Sequence, residues 1–81
     1  MKLTASDLHE GLACFAVCDF TTGDWFEEYF TTEEEALDYA DYYWHHMSDH
    51  DRKRREDFFV AVGHINSDEV FEIDQEIKRY K

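Results

Sequence analysis

Eighty-one residues hold one domain, since chains divide only well beyond this length. Twenty Asp and Glu against eight Lys and Arg give a formal net charge of -12, which disfavours direct contact with nucleic acid or an anionic membrane, both already negative. Hydrophobic residues at 43% and aromatics at 17% exclude an acidic disordered segment, so the chain folds around a core.

From Met1 to Glu10 there is one Lys, two acids and no apolar stretch of signal-peptide length, which predicts a cytoplasmic protein. The longest apolar run, Leu12 to Cys18, is seven residues, far below the roughly 20 that cross a bilayer. Leu12 to Phe20 reads as a first strand, and Thr21, Thr22, Gly23 and Asp24 supply turn chemistry after it. Cys14 and Cys18, the only cysteines, would lie on one face of that strand about 13 Å apart, too far for a disulfide. They read as reduced, buried small hydrophobes rather than as a reactive or zinc-binding pair. Trp25 to Phe30 is the return strand. Thr32 and Glu35 have capping-box spacing and open a helix whose buried face is Ala36, Leu37, Ala40, Tyr43, Trp44 and Met47. Ser48 and Asp51 repeat the spacing and predict a short second helix over Asp49 to Arg55. Phe58 to Ile65 is a third strand, Asn66 to Glu69 a turn and Val70 to Ile77 a fourth strand, with Lys78 to Lys81 expected to fray.

The order β-β-α-β-β predicts an α+β domain, one helix packed on a four-stranded antiparallel sheet. The first and third strands are apolar on both faces and so central, whereas the fourth alternates Phe71, Ile73 and Ile77 with Glu72, Asp74 and Glu76. The expected spatial order is 2-1-3-4. A second apolar sheet face then needs cover from Met1 to Gly11, from Ser48 to Asp57, or from a symmetric partner in a homodimer.

The charge is unevenly spread. Residues 24–50 carry nine acids and no base, whereas residues 1–23, 51–57 and 58–81 sum to -2, +1 and -2. Glu34, Asp38 and Asp41 follow i, i+4, i+7 spacing opposite the helix core, Glu27 and Glu28 lie on the second strand, and Glu72, Asp74 and Glu76 would stand about 6.8 Å apart along the fourth. A wall of this kind serves solubility and blocks edge pairing. The absence of interleaved Lys suggests more: rows of carboxylates can imitate a phosphate backbone and steer the protein onto a basic protein surface, such as that of a nucleic-acid-binding protein. In charge design alone this resembles the small acidic DNA-mimic inhibitors that phages and mobile elements carry, anti-CRISPR proteins among them.

Arg52, Lys53, Arg54 and Arg55 hold half of the Lys and Arg and read as ion pairs that tie their loop to the acidic helix. His46, His50 and Asp49 are the residues of metal-ligating type. If the helix continued past Met47, the two histidines would share a face at i, i+4. Without that continuation His45 and His46 simply meet the negative end of the helix dipole, and no metal or other cofactor is expected. A metal- or ligand-binding regulatory domain built on the His45–Asp51 region is the alternative function. Enzymatic motifs are absent: the sequence has no Gly-rich phosphate loop, G-x-S-x-G or H-E-x-x-H, which predicts a protein that is not an enzyme.

The segment FTTEEEALDYADYYWHHMSDHDRKRREDFFVAVG resembles short uncharacterised proteins of gut Gram-positive bacteria and their mobile elements, the likeness resting on Thr32, Glu34, Glu35, Ala36, Ala40, Trp44, Arg55 and Phe59. That resemblance implies a capped helix, a buried Trp and a core strand. It implies no activity and no functional residues.

Overall fold

The structure, a computed structural model, describes residues 1–21 and 26–81. Thr22, Gly23 and Asp24 of the expected turn, and Trp25 of the return strand, lie outside the described residues. The chain runs through strand β1 (Lys2–Leu3), a 3-10 turn (Ala5–Asp7), β2 (Ala13–Asp19), β3 (Phe26–Phe30), helix α1 (Glu33–His45), helix α2 (Asp49–Arg54), β4 (Phe58–Ile65) and β5 (Phe71–Tyr80). All pairings are antiparallel. The sheet has five strands in the order β1-β3-β2-β4-β5, not four. The four expected strands keep their relative order, and the addition is Lys2–Leu3, which pairs with Phe30 and Tyr29 and removes β3 from the edge.

Thr32 opens α1 by accepting a hydrogen bond from the Glu35 amide at 3.3 Å. The Glu35 carboxylate accepts from the Thr31 and Thr32 hydroxyls and from the Met1 amino group, so it ties β1 to the helix start instead of closing a full capping box. The Met1 amino group, then Thr32, hold the Glu35 carboxyl below its ordinary range. Ala36, Ala40 and Trp44 are the buried residues of α1, at the i, i+4, i+8 spacing that keeps one stripe toward the sheet. They pack on Val17, Phe30, Phe58, Val60 and Tyr80. Trp44 lies 5.6 Å from both Phe58 and Tyr80, ring centre to ring centre.

The expected fraying of Lys78–Lys81 is overturned there. β5 runs to Tyr80, which is buried beneath α1, because an aromatic ring at a strand end adds more apolar contact than the strand loses in freedom. β5 also departs from simple alternation. Its register against β4 shifts between Val60 and Ala61 and again between Val62 and Gly63. Each shift inserts a residue, so Phe71 packs on the sheet face away from α1, Ile77 on the face toward it, and Ile73 is left exposed.

That second face carries small side chains along its middle, Cys14, Ala16, Cys18 and Ala61, all buried. Large side chains from the flanks fold over them. Tyr29 of β3 and Phe71 of β5 meet at 5.7 Å although two strands separate them, and Phe20 and Phe59 meet edge to face at 5.6 Å. Leu3, Leu8 and Leu12 of the N-terminal segment complete the layer. Gly63 sits under the arch. A Cβ there would lie 2.0 Å from the Glu72 carbonyl oxygen and 2.7 Å from Phe71 Cζ.

The basic run locks the connection between α1 and β4. Arg52 donates to the Trp44 and Met47 carbonyls at 3.0 and 2.6 Å, satisfying the end of α1, and pairs with Asp49. Arg55 reaches the buried Asp19 at the end of β2, at 2.9 Å, while the other Asp19 oxygen accepts the Thr21 amide at 3.0 Å. Arg52 therefore ties its loop to the end of the acidic helix through carbonyls, and Arg55 to a strand-end carboxylate, where the sequence suggested ion pairs to the helix acids.

Two substitutions test this packing. Gly63→Ala forces a methyl group into backbone and is expected to destabilise the fold by more than ~3 kcal/mol in urea unfolding. Asp19→Ala removes the buried carboxylate that the Arg55 guanidinium and the Thr21 amide share, and is expected to destabilise the fold by about 2 kcal/mol.

Candidate functional site

The sequence marked eight acids as one surface. The structure distributes them over three places and supplies cations to most. On β3, Glu28 lies toward α1 and pairs with Lys2 at 3.1 Å, whereas Glu27, its neighbour in the pleat, faces the opposite way beside Tyr29. Asp41 accepts from Lys78 at 3.4 Å and from the Tyr80 hydroxyl. The Tyr80 hydroxyl, then the Lys78 ammonium, hold the Asp41 carboxyl below its ordinary value.

On β5 the expected even row is replaced by two local clusters. Glu76 pairs with Arg79 at 2.7 Å, and Arg79 also takes Asp57 at 2.9 Å. Glu72 and Asp74 converge on His64, with Nε2 and Nδ1 each 3.0 Å from a carboxylate oxygen. Both ring nitrogens can donate only in the imidazolium, so the clasp favours the charged form. Asp74 first, then Glu72, raise the His64 pKa above 6.5. The bulge at Asp74 makes this possible, since a regular strand would hold the two carboxylates about 6.8 Å apart.

What remains is on α1. Glu33, Glu34 and Asp38 are exposed and have no ion-pair partner among the described residues. Glu34, Asp38 and Tyr42 stand at i, i+4, i+8, so the three form one ridge pointing away from the sheet. Tyr42 is 64% exposed and Tyr43 41%. The ridge ends at a cleft of about 330 Å³ lined by Tyr42, Tyr43, His46, Met47, Asp51 and Arg55. Exposed aromatic side chains at the mouth of a cleft were not legible as a site, because helical spacing puts Tyr43 on the buried face, whereas the structure leaves it 41% exposed.

The candidate metal set does not assemble. α1 ends at His45, with His46 as its cap, and Ser48 opens α2 by accepting the Asp51 amide at 3.2 Å. The break destroys the i, i+4 relation of His46 and His50, and Asp49 is held by Arg52. His46 Nδ1 instead donates to the Tyr42 carbonyl at 2.8 Å while its ring stacks on Tyr42 at 3.9 Å. No metal-holding group of three His, Cys, Asp or Glu occurs among the described residues. Cys14 and Cys18 are free and buried, and burial, then Glu27, push the Cys18 thiol up to about 12. Among the described residues no helix is long and apolar enough to cross a membrane.

The chain matches no protein-family model, no curated protein and no solved structure.

The His64 clasp sets a pH dependence. A raised folded pKa means that its stabilisation is fully present below pH 6.5 and is lost as pH rises through the folded pKa. NMR titration should place the His64 imidazole above 6.5, with Asp74→Asn lowering it more than Glu72→Gln.

Proposed function

We propose that the protein is a small acidic interaction module that binds a basic protein surface through the outer face of α1. The observation that carries this reading is the acidic outer face of α1, where Glu33 and the ridge acids Glu34 and Asp38 are exposed and without an ion-pair partner among the described residues, in a molecule that pairs most of its other marked acids. Leaving like charges at i, i+4 costs a few tenths of a kcal/mol, and an external basic surface offsets that cost. The net charge of -12 adds a field that speeds association with such a partner and makes it salt-sensitive.

Where the basic surface is the groove of a nucleic-acid-binding protein, occupancy by the ridge excludes the nucleic acid, and inhibition by charge mimicry follows. The β5 acids contribute less to that contact than an even row would, since His64 and Arg79 already occupy them. The ridge itself needs no rearrangement to bind.

Affinity isolation from a cell lysate in graded salt provides the test. Recovered partners are expected to be basic and to elute between ~0.1 and 0.5 M salt. The triple variant Glu33→Gln, Glu34→Gln, Asp38→Asn is expected to retain less than about a tenth of them. Equal recovery by the variant at equal salt contradicts the reading.

A further inference from the structure

We propose that the cleft at the C-terminal end of α1 receives an arginine side chain of the basic partner, with Tyr42 and Tyr43 as aromatic walls and Asp51 as its carboxylate. The inference rests on the interaction reading above and names the chemistry that the partner must present. Three features of the cleft favour a cation, and a guanidinium in particular.

First, the walls are aromatic and rigid. Tyr43 stacks on Phe26 at 5.3 Å and on Tyr39 at 5.9 Å, and Tyr42 stacks on His46, so neither ring has to be ordered when a ligand arrives. A planar guanidinium stacks on such faces and gains from the ring quadrupole. Second, the polar groups suit a donor. The Asp51 carboxylate has no ion-pair partner among the described residues, whereas the cleft's other charged side chain, Arg55, is directed to Asp19. His46 spends its Nδ1–H on the Tyr42 carbonyl, which holds its ring against Tyr42 at the cleft. Third, the cleft lies at the end of the Glu34, Asp38, Tyr42 ridge, so a basic segment drawn along the ridge delivers its side chains to the opening. An anion would meet the molecule's net charge of -12 with little to compensate it.

The test compares nona-arginine with nona-lysine, peptides of equal charge, binding to the isotope-labelled 81-residue chain at one low ionic strength. Nona-arginine is expected to bind about tenfold more tightly and to shift the resonances of Tyr42, Tyr43, His46, Met47 and Asp51. Tyr42→Leu, at an exposed position that leaves the core intact, should abolish the preference while leaving nona-lysine affinity within about twofold. Asp51→Asn should weaken nona-arginine more than nona-lysine. Equal affinities, with shifts confined to Glu33–Asp38, would overturn the cleft assignment and leave the acidic-face reading standing. An arginine preference that survives Tyr42→Leu also overturns it. Failure of both peptides to bind at low salt removes both readings together.

Discussion

Small side chains along the middle of the sheet determine how the rest of the molecule is arranged. Cys14, Ala16, Cys18 and Ala61 rise so little from the backbone that Tyr29 and Phe71 meet above them from strands on either side, and Gly63 leaves room for the Phe71 ring. The sheet thereby closes its second face with its own aromatic side chains and three leucines of the N-terminal segment. A chain of 81 residues has little material for a third layer, and this device makes one unnecessary. The first face is then free to hold α1, which buries Ala36, Ala40 and Trp44 and turns Glu34, Asp38 and Tyr42 outward.

The same geometry decides which charges are available. Bulges in β5 swing Asp74 toward His64 and send Ile77 and Tyr80 under the helix, and that carries Lys78 to Asp41. The strand β1 brings Lys2 to Glu28. A tally of acids by segment therefore overstates the exposed field on β3 and β5 and understates its concentration on α1. Partial neutralisation around a bare ridge makes the helix face the distinct electrostatic feature of the surface. The aromatic cleft at its end adds a shape that charge alone does not provide.

Features set by neighbours in sequence were legible before the fold was known. Thr32 and Ser48 announced both helix starts, and two-sided apolar strands announced the central position of β2 and β4. What escaped depends on distant partners. Lys2–Leu3 is too short to show a period, and it becomes a strand only because β3 offers an edge. Tyr80 looked like a polar tail until Trp44 and Phe58 were placed beside it. The β5 bulges show only in its register against β4, and nothing local marks them. Ion pairs such as Asp41 with Lys78 and Asp19 with Arg55 join residues far apart in sequence, so the basic run was assigned to the wrong acids.

The second sheet face is closed by the chain itself, which leaves α1 as the exposed charged face. Thiol labelling of Cys14 and Cys18 across a urea series measures that closure directly. With the face closed, both thiols label only through unfolding, and the rate rises with urea along the slope of global unfolding. Labelling in the absence of denaturant at a rate indifferent to urea would contradict it.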